Sequence, residues 1–339
     1  MTNILKNKIV LLIILILWIF PVIASANYQE STVGGTLEAE VKPKEPKPNE
    51  MITVKLKGFG FNLNLSKVTW AVNDEVLAEG IGLAEFSFRN GRVGWITSVD
   101  AIITTPDNRF IVKNLTFRPA EVELLFEANS FIPNWYRGAA LPTAGSLLTV
   151  MAEPNIRVFD QLIDARELVF EWTRNNTRLT GSSGLGRNTI TFTLNPETER
   201  AVVGVKVSHP SSGITASGNL TINANQAEIL LYEVKPLSGV NQAKVLNNQN
   251  HQAEGDVISL KAEPFYFPIN DVLSQLQYIW KAGEEVIKDI SSRQREITFQ
   301  TNQSSAGSSI ISVEVNNPRN PKQTGQASVN LNLNEFFGQ

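Results

Sequence analysis

The chain has 339 residues, of which 42% are hydrophobic and 19% charged; its formal net charge is −3 and it has no cysteine. That is enough apolar material for more than one core. The missing cysteines exclude disulfides, thiolate metal sites, cysteine nucleophiles and a lipidated cysteine, and the lack of any basic block excludes the clustered positive face that a nucleic-acid partner requires.

Residues 1–26, "MTNILKNKIVLLIILILWIFPVIASA", begin with Lys6 and Lys8, continue in an unbroken apolar run from Ile9 to Phe20, break at Pro21 and end on the small triplet Ala24-Ser25-Ala26. Basic start, apolar middle and small-residue end are the three parts of a secretory signal peptide. Cleavage is expected after Ala26. The alternative is retention as an N-terminal anchor through residues 9–24, against which stands a run shorter than the roughly 20 residues of a spanning helix. Lys6 and Lys8 are the only charges in the segment, so cleavage takes the net charge to −5. An exported chain without disulfides is held by its cores alone.

Next comes "EVKPKEPKPNE" (40–50), rich in proline and charge. It is expected at an exposed edge, where lysine and proline discourage unwanted strand pairing. The alternating segment "MITVKLKG" follows, with Ile52, Val54 and Leu56 on one face, and then "KVTWAVND" with Trp70. Alternate residues of a strand share a face, so Val68 lies beside Trp70 on the buried side. The segment "AEFSF" ends at Phe88, "DAIITTP" ends at Pro106, and "VKNLTF" closes the unit.

The same order returns twice. "LLTVMAEP", "LVFEWTRN" with Trp172, "NTITF" ending at Phe192, "VKVSHP" ending at Pro210 and "GNLTI" form a second unit; "VISLKAEP", "LQYIWKAG" with Trp280, "REITF" ending at Phe299, "SVEVNNP" ending at Pro318 and "SVNLNL" form a third. The tryptophans are 102 and 108 residues apart, and each phenylalanine follows its tryptophan by 18, 20 or 19 residues. Four landmarks around each tryptophan, in one order at one period, mark an internal repeat. Each unit of about 100 residues, with short alternating strands and turn signals every 8 to 12 residues, reads as a β-sandwich. Helical periodicity is scarce; a helical turn is expected only within 158–170 and 270–278, just before two of the tryptophan strands.

A tryptophan on the third strand, an alternating strand before it and a proline-marked hairpin after it resemble the immunoglobulin-like fold, and in particular the tandem Ig-like or PKD-like modules of bacterial cell-surface or exported proteins. The resemblance spans nearly all of residues 30–335. It implies an all-β chain of three Ig-like sandwiches, at 27–119, 120–225 and 226–339, after the signal segment 1–26. The disulfide that braces antibody domains has no counterpart here, so Trp70, Phe88, Trp172, Phe192, Trp280 and Phe299 are expected to supply the inter-sheet packing. Neither junction between units is a Gly/Ser tether, which predicts a semi-rigid rod.

Candidate sites are few. "SFIPNWYRGAALPTAGS" (130–146) concentrates Phe131, Trp135, Tyr136 and Arg137, residue types favoured at binding hot spots. The corresponding connection in the third unit is polar, so the stretch is a unit-specific loop on a shared frame. It is read either as packing against a neighbouring unit or as a partner-facing patch. "GIG" (80–82) and "GLG" (184–186) are read as turns before a strand rather than phosphate loops, since no helix follows either. His209, in a hairpin turn, and His251, in "NNQNHQAEG", are read as surface loop residues. Carboxylates such as Asp160, Asp164, Glu167, Glu197 and Glu199 are dispersed, without the alternation of a calcium loop. The expectation is a non-catalytic exported protein without metal or cofactor, acting as a spacer or as a protein-interaction or adhesion module, in contact with the membrane only through its N-terminal segment if that is uncleaved. A pilus or envelope assembly and its proteins are the expected setting; the alternative is a glycan- or peptide-binding protein that uses 131–142.

Overall fold

The structure, a computed structural model, describes residues 35–252, 257–268, 275–288, 290–300 and 307–333. The signal segment and residues 270–274 of the second expected helical turn lie outside the described residues.

Three β-sandwiches follow one another, antiparallel except for one short parallel pairing in the third. The first holds β1 (Thr36–Lys42), β2 (Met51–Phe59), β3 (Lys67–Val72), β4 (Glu75–Ile81), β5 (Glu85–Arg89), β6 (Thr97–Thr104) and β7 (Phe110–Phe117), with sheet β1-β2-β5 facing sheet β4-β3-β6-β7. The second holds β8 (Glu121–Asn129), β9 (Leu147–Asn155), the small hairpin β10 (Arg157–Val158) and β11 (Gln161–Leu162), then β12 (Val169–Arg174), β13 (Thr177–Arg178), β14 (Gly184–Leu185), β15 (Thr189–Thr193), β16 (Arg200–Ser208) and β17 (Thr215–Asn223). Its sheets are β15-β9-β8 and β13-β12-β16-β17, with β14 on β12. The third holds β18 (Glu228–Lys235), β19 (Gly239–Val240), β20 (Asn250–Gln252), β21 (Val257–Phe265), β22 (Gln277–Ala282), β23 (Glu285–Val286), β24 (Glu296–Gln300), β25 (Gly307–Asn316) and β26 (Thr324–Leu333), in sheets β19-β18-β21-β24 and β20-β26-β25-β22-β23.

The repeat has a physical basis in the tryptophan strands. Trp70, Trp172 and Trp280 are fully buried, each with the residue two before it, Val68, Phe170 or Tyr278, in the same core. A buried indole N–H needs an acceptor. Each finds one: Trp70 Nε1 donates to Leu83 O at 2.9 Å, Trp172 Nε1 to Arg187 O at 2.8 Å and Trp280 Nε1 to Gln294 O at 3.0 Å. Each acceptor stands five residues before the landmark phenylalanine of its unit. The turn that carries it begins at a glycine of positive φ in the first two units, Gly82 at 68° and Gly186 at 69°. The alternating triplets Ile52/Val54/Leu56, Leu148/Val150/Ala152 and Ile258/Leu260/Ala262 face the cores. Phe88 and Phe192 are buried; Phe299 is half-buried against the third core.

Three residues after each tryptophan a two-residue turn reverses the chain, at Asn73-Asp74, Asn175-Asn176 and Gly283-Glu284. Positive φ at Asn73, Asp74, Asn175, Asn176 and Gly283 suits the asparagine, aspartate and glycine that hairpin turns favour. Pro106, Pro210 and Pro318 stand in the hairpins β6–β7, β16–β17 and β25–β26. The helical turn expected within 158–170 is a β-hairpin, β10–β11, followed by one 3-10 turn at Ala165–Glu167; the Asp164 side chain accepts from the Arg166 N–H and so holds a tight turn in place of a helix.

Candidate interaction sites at the module junctions

The connection between the first two strands of the sandwich differs from module to module: in the first two it reaches the next module, and in the third it stays on its own. In the first module, residues 43–50 run from edge strand β1 to β2 and touch the second module: Lys206 Nζ donates to Glu45 Oε1 at 2.8 Å. The Lys206 hydrogen bond, joined by one from Ser217, lowers the Glu45 pKa; the same Glu45 bond raises that of Lys206. The module's last segment adds Arg118 Nη1, which donates to Ser212 O at 3.1 Å in the β16–β17 hairpin.

In the second module the same connection is the aromatic stretch 130–146. Here main chain meets main chain. Ser130 bridges Pro268, the Phe131 N–H donates to Phe267 O at 2.6 Å, and the Tyr266 N–H donates to Phe131 O at 2.6 Å. Thr143 Oγ1 donates to Tyr266 O at 2.7 Å, and the Asn225 N–H donates to Pro142 O at 2.7 Å. From the β25–β26 hairpin, Asn320 Nδ2 donates to Ala144 O at 2.8 Å, and Gln323 Nε2 donates to the same carbonyl.

The rings follow this backbone. Phe131 packs on the third core. Trp135 meets Tyr232 and Phe265 edge-on at centroid distances of 5.5 and 6.1 Å, and Tyr136 meets Phe265 at 5.2 Å. The Tyr136 and Tyr266 hydroxyls are 3.3 Å apart, and burial together with that contact raises the Tyr266 pKa. Phe131, Trp135 and Tyr136 are half-buried and only Arg137 is exposed. The four candidate partner-binding residues therefore do not stand together as a free patch, because the loop extends the end of β21 and draws its rings onto the third module.

Beside the loop is a cavity of about 460 Å³ lined by Phe131, Trp135, Lys261, Glu263 and Arg295 among others. Glu263 is buried; Lys261 Nζ lies 2.6 Å from its Oε1, and the Arg295 guanidinium donates to its Oε2. A buried carboxylate between two cations meets the requirement that buried charge be paired. Burial also pushes the Tyr278 hydroxyl up to about 12.

In the third module the connection folds back on its own sandwich. Leu246 enters the third core, Asn247 bridges Ile229 O and the Leu231 N–H at 2.7 and 2.8 Å, and β20 pairs in parallel with β26. His251 lies within β20, is buried, and places Nε2 3.4 Å from Glu233 Oε2. It is not the surface loop residue expected, because strand pairing with Leu331 carries it inward. His209 remains a turn residue, its Nδ1 2.8 Å from Ser212 Oγ. Among the described residues no group of three or more His, Cys, Asp or Glu is placed to hold a metal ion.

A second cavity lies where the sequence singles out only Asp160 and His209. It measures about 780 Å³ and opens between the first two modules, walled by the 94–96 loop, Pro119, the β10–β11 hairpin and residues 211–214. Trp95, Ile96 and Phe159 stand around it, 55%, 54% and 92% exposed. Phe159 and Asp160 form the turn of the β10–β11 hairpin, with φ of 49° and 64°. "VFDQL" contains no Asn-Gly or Asp-Gly signal, so nothing in it announces a two-residue turn.

No protein-family model matches the chain, and no curated protein matches it. Solved structures similar to it include the three N-terminal domains of the bacteriophage RB49 Highly Immunogenic Outer Capsid protein, at 11% identity and TM-score 0.27, covering 88% of this chain and 98% of that one. The central fibronectin-III array of RIM-binding protein matches at 10% identity and TM-score 0.30, covering 89% and 97%. The ectodomain of mouse nectin-like molecule 4 matches at 10% identity and TM-score 0.26, covering 86% and 96%. The sandwich assignment itself rests on the sheet pairings and cores described above.

Proposed function

We propose that the chain is a non-catalytic exported protein in which three Ig-like modules, at 27–119, 120–225 and 226–339, follow a signal segment at 1–26 and act as a stiff spacer and protein-interaction module at a cell surface, in a periplasm or within an envelope assembly such as a pilus. The observation that carries this reading is the second junction. Rotating the third module against the second breaks the Phe131–Phe267 and Tyr266–Phe131 main-chain bonds and uncovers Phe131, so relative motion costs buried hydrogen bonds as well as apolar contact. The test is small-angle X-ray scattering of the exported chain. A single extended particle is expected, with greater flexibility in a Phe131→Ala, Thr143→Val double variant. Wild-type scattering that fits only a freely jointed chain would remove the spacer reading. Pull-down from envelope fractions then identifies the partner proteins.

A second reading, glycan or peptide binding through 131–142, draws on the cavity where Trp135 stands beside the Lys261–Glu263–Arg295 cluster. It is checked by comparing wild type and Trp135→Ala on glycan and peptide arrays. Equal profiles exclude it.

A further inference from the structure

We propose that the groove between the first two modules binds an extended partner segment in which a large apolar side chain is flanked by carboxylates. This rests on the reading of the chain as an interaction protein and adds the partner's chemistry and the place where it binds.

Three observations converge. The first is Phe159. It occupies a left-handed turn position, at φ 49°, that a bulky L-residue disfavours and that asparagine or glycine would fill more easily. The residue is 92% exposed, so it adds nothing to a core. Neither the turn nor the packing accounts for a phenylalanine here; burial by a ligand does.

The second is the shape. Trp95 and Ile96 from the first module and Phe159 from the second face one concavity of about 780 Å³. That size suits one large side chain and its neighbours. A concave site between modules favours an inserted protein segment over a flat lipid surface.

The third is charge. On a chain of net charge −3, Arg118 and Arg157 line the cavity against Asp160, and Arg92 stands over the ring of the lining Trp95. Arg92 lies over the Trp95 ring, 4.5 Å from its centroid, and the Arg118 guanidinium donates to the carbonyl of Ser212. Neither has a carboxylate partner among the described residues. Arg157 donates to the Asp160 carbonyl at 2.9 Å, while its ion pair with the Asp160 carboxylate is long, 3.9 Å, and exposed. Tryptophan and arginine together are the residue types that dominate binding hot spots, and a positive rim steers and orients an acidic segment.

The experiment uses the full exported chain and two fluorescein-labelled peptides, one with a central Phe-Leu pair flanked by glutamates, the other with lysines in place of the glutamates, read by fluorescence anisotropy. The glutamate peptide is expected to bind, more weakly at high salt, and the lysine peptide not to bind. Phe159→Asn is expected to raise the melting temperature, because asparagine accepts the left-handed turn, and to weaken peptide binding by about tenfold or more. Arg118→Ala is expected to weaken it several-fold and to make it less sensitive to salt, while Trp135→Ala, at the other junction, leaves it unchanged. Absence of binding by the glutamate peptide overturns the proposal. So does unchanged affinity in Phe159→Asn, or binding only to vesicles of anionic phospholipid. Concentration-dependent self-association that Phe159→Asn abolishes and the glutamate peptide does not compete would make a second copy the occupant and likewise overturn it. Peptide binding that Phe159→Asn weakens, in a chain whose scattering shows only the third module swinging freely, would sink the spacer reading and leave the groove at the first junction standing.

Discussion

The two junctions share one plan and differ in chemistry. At each, the connection between the first two strands of the earlier module reaches forward, and the proline-marked hairpin of the later module reaches back. At the first junction the forward reach is Glu45 to Lys206, and the hairpin receives the Arg118 side chain. At the second, the forward loop adds main-chain hydrogen bonds to the end of β21, and the hairpin returns Asn320 and Gln323 to Ala144 O. Long, exposed side chains tolerate small rotations and are screened by salt; buried main-chain bonds with aromatic packing do not. The first junction thus leaves a groove open between its modules, and the second closes around its loop.

The comparison can be broken at several points. The largest effect is expected from Trp172→Ala in the middle module. It should cost about 3–5 kcal/mol and, through the shared module, undo both junctions at once, as seen by denaturant unfolding with scattering. Phe131→Ala acts only on the second junction. For a half-buried ring the expected loss is about 2 kcal/mol, appearing as separation of the second and third modules' unfolding transitions in calorimetry.

Two glycines compare the junctions directly. Gly145, at φ +87°, has its missing Cβ position 2.9 Å from Asn320 Nδ2; Gly94, at φ +82°, has its own 3.2 Å from Arg157 Cδ. Alanine in either costs about 1 kcal/mol for the left-handed backbone. Gly145→Ala should cost more, since it displaces an amide committed to Ala144 O, whereas the Arg157 stem can shift. Equal losses for the two variants would contradict the contrast.

The smallest effect is electrostatic. Glu45 has a lowered pKa, so its contribution is present above its unfolded value of about 4.5 and is lost as pH falls through the lower folded value. Lys206 has a raised pKa, so its contribution is present below its unfolded value and is lost as pH rises through the higher folded one. The link is therefore intact between these limits. For an exposed pair it is worth under about 1 kcal/mol. Distance measurement between spin labels on the first two modules, in acid and at high salt, should show this junction loosening while the second holds.

Much of the frame was legible. Trp70, Trp172 and Trp280 could be placed on buried strand faces because strand periodicity and side-chain size are local properties. The prolines marked hairpins for the same reason. The indole acceptors Leu83, Arg187 and Gln294 could have been found from their constant offset to the landmark phenylalanines, but a carbonyl carries no side-chain signal. The burial of His251 is not legible, because its Asn/Gln-rich surroundings look like a solvated loop and only pairing with Leu331 across the module buries it. Nor is the exposed position of Phe159 legible, because a Phe-Asp pair does not advertise a turn.

The sequence by itself determined the sandwich, its threefold recurrence and the plug at the centre of each repeat, since these follow from alternation, turn chemistry and spacing along one stretch of chain. Only the tertiary structure decided what the loops do. Whether Trp135 faces water or Phe265, and whether Phe159 has a core to enter, depends on which module lies alongside, and that is settled by contacts between residues far apart in the chain.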